Sequence, residues 1–252
     1  MTDSALIAKF AVRQGDDALV LGHRLSEWTS RSPFLEEDLA LTNVALDFVG
    51  RARMFYQYAA TLTGGDANED TFAYTRDARE FSNLLICELP RGDFAFTICR
   101  QYLYDAFALP FMQALMKSSD QQLAAIAAKA EKETKYHVRR DTDWMLRLGD
   151  GTEESQGRMQ KALDDLWGYT GELFDVDDVD RALIAEGIVP DVSLLRDQWL
   201  ETVSDTIARA NLELPQADWK AAGGRDGIHT ESLGFLLAEL QSVQRAYPGL
   251  KW

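Results

Sequence analysis

The sequence predicts an all-α fold, a four-helix bundle with a long crossover and additional helices toward the C-terminus. Three observations carry that expectation. Six prolines and 17 glycines are few for 252 residues, which speaks against the many turns of an all-β chain. No segment sustains the period-two alternation of half-buried strands. Apolar residues instead recur in steps of three and four along four long stretches, with an irregular stretch between the second and third. No internal repeat or low-complexity segment divides the chain, so residues 1–252 are read as a single helical domain.

The elements follow from their punctuation. A short segment over Ser4 to Arg13 ends at Gly15, and Asp16 caps a helix running to Trp28. Pro33 opens the second helix, whose first turn holds Glu36, Glu37 and Asp38 where the dipole favours anions. That helix ends near Thr61, before the turn-like TGGDANED. Residues 71–92 resist assignment and close on ELPRGD. A third long helix spans Asp93 to Met116 with Pro110 inside it. Ser118 or Ser119 caps a fourth, which runs to Leu148 before GDG. A fifth covers Thr152 to Phe174, shorter helices fill 178–186 and 191–211, and a last one runs from Thr230 to just before Pro248.

Composition narrows the function. At 46 % hydrophobic residues the chain can bury a substantial core. Cys87 and Cys99 form neither a CxxC motif nor a disulfide framework. No N-terminal signal sequence and no long uncharged apolar run is visible, so the cytoplasm is the expected compartment. A formal charge of −15 repels nucleic acid and anionic lipid at long range, and neither is an expected partner.

The apolar seams hold the informative exceptions. Ala18, Leu21, Leu25 and Trp28 line the first, and Leu41, Ala45, Phe48, Ala52, Phe55, Ala59 and Leu62 the second, with Arg51 at its margin. The third runs through Ile98, Tyr102, Asp105, Leu109, Met112 and Met116. The fourth runs through Leu123, Ala127, Ala130, Thr134, His137, Asp141, Trp144 and Leu148. Asp105, His137 and Asp141 are ionisable groups on faces that otherwise seek a core, where an unpaired charge is costly. His137 and Asp141 lie one turn apart and can pair. Arg51 is a natural counter-charge for Asp105, and Asp47 is a second partner for it within its own helix.

A polar island inside a bundle invites a test for a di-iron centre. Di-iron carboxylate bundles place a carboxylate on each of two helices and Glu-x-x-His on each of the other two. Here the second helix offers Phe48-Val49-Gly50-Arg51 and the fourth Thr134-Lys135-Tyr136-His137. Glu133 is one residue out of step, about 100° around the helix. The first helix presents Ala18. Asp105 and His137 remain as donors, too few to hold two divalent ions.

Six stretches carry a resemblance: LVLGHRLSEW, EDLALTNVALDFVGRAR, RDAREFSNLL, AAIAAKAEKETKYH, ELFDVDDVD and GIHTESLG. Together they resemble the C subunits of bacterial phenylacetyl-CoA monooxygenase (ring 1,2-epoxidase) complexes of aerobic phenylacetate degradation, over nearly the whole chain. The resemblance implies a ferritin-like fold and a non-catalytic structural role beside a related A subunit that carries the di-iron site. It further implies a reductase using NADPH, flavin and an iron–sulfur centre, with small accessory subunits as indirect partners. This chain itself would bind no cofactor. Carried over by position, the family's metal-site pattern falls on Ala18, Phe48, Arg51, Asp105, Thr134 and His137, a vestigial set in which catalysis has no residue. Two other readings stay open: a metal-dependent oxygenase with Asp105, Glu133 and His137 as ligands, and a free-standing helical interaction protein. Lys129, Lys132, Lys135, Arg139, Arg140 and Arg225 are the basic groups that a CoA phosphate would seek, but they read as solvated charges or partners of Glu131 and Glu133, and none is taken as a site.

Overall fold

A computed structural model describes residues 4–216 and 219–250. The fold is all-α and of the ferritin-like class, with eleven α-helices and no strand among the described residues. In chain order these are α1 (Ser4–Ser26), α2 (Leu35–Thr63), α3 (Glu69–Tyr74), α4 (Leu85–Glu88), α5 (Phe94–Leu115) and α6 (Gln121–Gly149). They continue as α7 (Glu153–Trp167), α8 (Asp178–Ala185), α9 (Arg196–Arg209), α10 (Glu231–Leu240) and α11 (Ser242–Ala246). Two compact units contain them: residues 1–90 with 223–252, and residues 91–222.

In the first unit α1 and α2 form a long antiparallel pair. Thr29 meets Thr42 near the connecting turn and Asp16 meets Tyr56 well down the pair, which fixes the direction. Leu21, Leu25, Leu41, Phe48 and Phe55 are fully buried along the shared face. The expected break at Gly15 does not occur: α1 is one helix of 23 residues. A Cβ at residue 15 would sit 2.3 Å from Cε1 of Tyr56, so glycine is there to admit a ring from α2, not to end a helix. Asp16 is accordingly no cap. The segment 71–92 resolves into α3, closed by a reciprocal Asn68–Thr71 capping box, a single 3-10 turn at Ala78–Glu80, and α4.

In the second unit α5 and α6 are antiparallel, with Gln113 near Glu131 at one end and Phe94 against Trp144 at the other. Asp93 caps α5 through the Phe96 amide at 2.9 Å. α6 is capped by Asp120 at the Leu123 amide, 2.9 Å, and not by Ser118 or Ser119. The Ser118 hydroxyl instead accepts from Asp120 N and donates to the Ile188 carbonyl. Pro110 is accommodated inside α5, which continues to Leu115. The expected fifth helix stops at Trp167 and passes into a 3-10 turn at Thr170–Phe174. α7 and α9 pack on α5 and α6, and the Trp199 indole donates to the Leu103 carbonyl at 3.1 Å. Phe107, Phe174, Trp167 and Trp199 form an aromatic group with centroid separations of 5.4–5.6 Å.

The seams are buried along their middles and open at their ends. Leu62, Leu109, Trp144 and Leu148 are half-buried, and Met116 is exposed. No helix among the described residues is long and apolar enough to cross a membrane.

Candidate functional site

The expected polar island in the second unit lies on the facing sides of α5 and α6. Asp105 and His137 are both fully buried, with Oδ2 and Nδ1 3.8 Å apart. One turn before Asp105 on α5, the Gln101 amide donates to the same Oδ2 at 2.5 Å. Oδ1 of Asp105 has no hydrogen-bond partner among the described residues. Asp141 accepts from Arg140 Nη1 at 2.7 Å, and the carboxylate oxygen 3.8 Å from His137 Nδ1 is that of Asp105, across the helix pair. Burial pushes the Asp141 carboxyl up to about 8; the like charge of Asp105 adds to the rise, while Arg140 and His137 oppose it.

Thr134 lies one turn below His137. Its hydroxyl donates to the Ala130 carbonyl at 2.8 Å, so the side chain is bonded back onto its own helix. Glu133 is half-buried and meets Lys129 at 3.8 Å.

The other three positions singled out from the sequence belong to the first unit. Ala18 on α1 and Phe48 and Arg51 on α2 are buried. The Arg51 guanidinium carbon lies 4.7 Å from the centroid of the Phe48 ring, close enough for a cation–π contact. These side chains offer no oxygen or imidazole lone pair. None of these three is a usual metal ligand, and in the second unit the Thr134 hydroxyl is bonded back onto its own helix. No group of three or more His, Cys, Asp or Glu that could hold a metal ion is found among the described residues.

A second polar cluster, in the first unit, escapes the seam reading. Asp16 and Asp17 are adjacent on α1 and buried. Asp16 accepts from the Tyr56 hydroxyl at 2.6 Å, the Ser82 amide at 2.8 Å and both terminal nitrogens of Arg76. Asp17 takes a two-pronged bond from Arg225, 3.0 and 2.7 Å, and the Leu84 amide at 2.7 Å. Burial raises the Asp17 carboxyl above its ordinary range, with Arg225 acting in the opposite direction. Arg225 thus has a buried partner, as does Arg140, whereas Lys132, Lys135 and Arg139 stand on the exposed side of α6.

Glu88 of α4 completes the cluster. Its Oε1 accepts from Thr230 N at 2.6 Å and its Oε2 from the Asn83 amide at 2.8 Å. His229 sits with Nδ1 2.7 Å from Glu88 Oε2 and Nε2 2.9 Å from the Phe81 carbonyl. Arg24 of α1 donates to the Glu88 carbonyl at 2.9 Å and to the Ser232 carbonyl at 2.7 Å. The signal in the sequence was present but unassigned: LVLGHRLSEW, RDAREFSNLL and GIHTESLG supply Arg24, Arg76, Ser82, Asn83 and His229.

Residues 2–252 match the model of a family described as "Phenylacetic acid catabolic protein". The C subunit of the 1,2-phenylacetyl-CoA epoxidase of Escherichia coli (strain K12) is 50% identical over 246 residues, covering 98% of this chain and 99% of that protein.

Proposed function

The chain belongs to the phenylacetic acid catabolic protein family, and from that membership we propose that it is the structural, non-catalytic subunit of a multicomponent monooxygenase that epoxidises the ring of phenylacetyl-CoA. The observation that carries the reading is the donor set. Ala18, Phe48, Arg51 and Thr134 hold no suitable ligand atoms, in a chain 50% identical to the C subunit of such an epoxidase. Asp105 and His137 face each other at 3.8 Å, and Gln101 also donates to Asp105.

The role is then mechanical and electrostatic. A related di-iron A subunit is the direct partner and performs oxygen activation; the reductase and the small accessory subunits act through it. Association that favours the folded form of that partner stabilises it by mass action. The chain works in the cytoplasm, and its charge of −15 leaves nucleic acid and membrane surfaces out of its contacts. Arg51 supplies a fixed cation in its helix pair, and no metal is bound by this chain.

Copurification tests the proposal. The tagged chain, coexpressed with a di-iron relative of the same family, is expected to retain that relative, with iron found only in the relative. Stoichiometric iron in the isolated chain would favour an oxygenase built on Asp105, Glu133 and His137. Failure to retain any relative would leave a free-standing helical protein.

A further inference from the structure

His229 lies outside every position considered for the oxygenase, yet its ring is engaged at both nitrogens, and each faces an acceptor. Nδ1 is 2.7 Å from a Glu88 carboxylate oxygen, and Nε2 is 2.9 Å from the Phe81 carbonyl. A backbone carbonyl only accepts, so Nε2 carries a proton. The Glu88 carboxylate only accepts when ionised, so Nδ1 carries one too. Against an ionised Glu88, only the doubly protonated imidazolium satisfies both.

From this geometry we propose that His229 is a pH-dependent latch: as imidazolium it fastens the start of α10 to α4 and the preceding segment, and on losing its Nδ1 proton it releases α10.

The elements around it supply the means. Glu88, fully buried on α4, gathers three donors at this point: His229, Asn83 and the Thr230 amide that begins α10. From α1, Asp16 adds a field that favours the cation. Arg24, also from α1, is an opposing cation, and it is occupied by Glu27 and by the carbonyls of Glu88 and Ser232. Arg225, just before His229 in the chain, is bound by Asp17. Arg79, Asp226 and Glu231 line the surface recess beside the imidazole, one cation against two carboxylates. Burial alone would lower the imidazole pKa, but Glu88, the Phe81 carbonyl and Asp16 outweigh it and the net shift is upward. A histidine raised in the folded state contributes its full stabilisation below the unfolded value of 6.5 and loses it as pH rises through the folded value. Deprotonation would leave a lone pair on Nδ1 repelling the same buried carboxylate that binds the Thr230 amide, with Arg24 at the Ser232 carbonyl and the buried Leu233, Leu236 and Leu237 left to hold α10.

Two measurements on the full chain test the latch. Nitrogen-15 spectra of the histidines should show both His229 nitrogens protonated at pH 7, with Nδ1 losing its proton at higher pH. Hydrogen exchange over 231–240, corrected for the intrinsic rate, should lose protection over the same interval, about tenfold for each pKa unit by which the fold raises His229. The variant His229→Gln keeps one donor but no charge, and its α10 should be poorly protected at every pH. An unprotonated Nδ1 at pH 7, pH-independent protection of the parent, or an unchanged pH profile in His229→Gln would each overturn the proposal. The spectra need no variant to fold, and none of these readings depends on the oxygenase role.

Discussion

Asp16, Asp17 and Glu88 of the first unit each accept from several donors, two arginines among them, while Asp105 and Asp141 of the second unit each keep one oxygen without a partner among the described residues. The chemistry of the buried groups is alike; what differs is where their donors come from. In the first unit, Tyr56 of α2 apart, the donors arrive from residues 76–84 and 225–230, loops and short turns whose backbone is free to aim N–H groups at a carboxylate. In the second, Asp105 and Asp141 lie between two regular helices whose amides are already spent, and only side chains remain to serve them. Irregular segments packed against a helix can solvate its buried charges; helix packed on helix does so poorly. The first cluster reads as a structural clamp, the second as a pair of buried carboxylates left short of donors.

The comparison breaks most visibly at Asp16. Replacing it by Ala strips the buried Tyr56 hydroxyl of its acceptor and the half-buried Arg76 of its carboxylate, leaving Arg76 the Phe72 and Glu80 carbonyls, and is expected to cost about 3 kcal/mol in urea unfolding. Adding Arg76→Met should restore part of that loss, because an apolar pair avoids the orphaned charge; no recovery would show that the clamp is not an ion pair in the energetic sense. Gly15→Ala, next to it, drives a methyl into the Tyr56 ring, which Asp16 holds in place, and should cost about 1–3 kcal/mol by the same assay.

The second unit should answer in the opposite direction. Because the Asp141 carboxyl titrates near 8 in the fold against 3.8 ordinarily, the native state keeps a proton that the unfolded chain gives up. Stability attributable to this residue therefore falls as pH climbs from about 4 to about 8 and is level outside that window. Asp141→Asn keeps an acceptor for Arg140 and has no proton to lose. It should flatten the profile and melt at a higher temperature than the parent at pH 8, with little difference at pH 4. The smallest effect is expected at His137→Gln, which should leave turnover by the assembled enzyme unchanged once the amount of complex is matched. A large loss at equal complex would place His137 in the chemistry.

Much of this architecture is legible from periodicity alone, because it depends on local spacing. The four long helices, their seams, and the burial of Asp105, His137 and Asp141 all follow from which residues share a helix face. What periodicity misreads is set by distant residues. Gly15 and Asp16 resemble a stop and a cap until Tyr56, Arg76 and Ser82 are placed beside them, 40 to 66 residues away in the chain. Asp17 finds Arg225 208 residues on. The segment 71–92 is opaque for the same reason: its short turns are stabilised less by their own sequence than by what they deliver to α1. At the end of the third seam Met116 keeps the apolar spacing but is exposed, and spacing carries no information about where a neighbour stops. That Thr134 bonds back to Ala130 required coordinates.

The notch that Gly15 opens for Tyr56 also constrains the history of the protein. Residue 15 can gain a side chain only after residue 56 has given up its ring, and losing that ring strips Asp16 of one of its donors. Three positions are thereby tied into an order of change, so that substitutions harmless in one sequence of events are damaging in another.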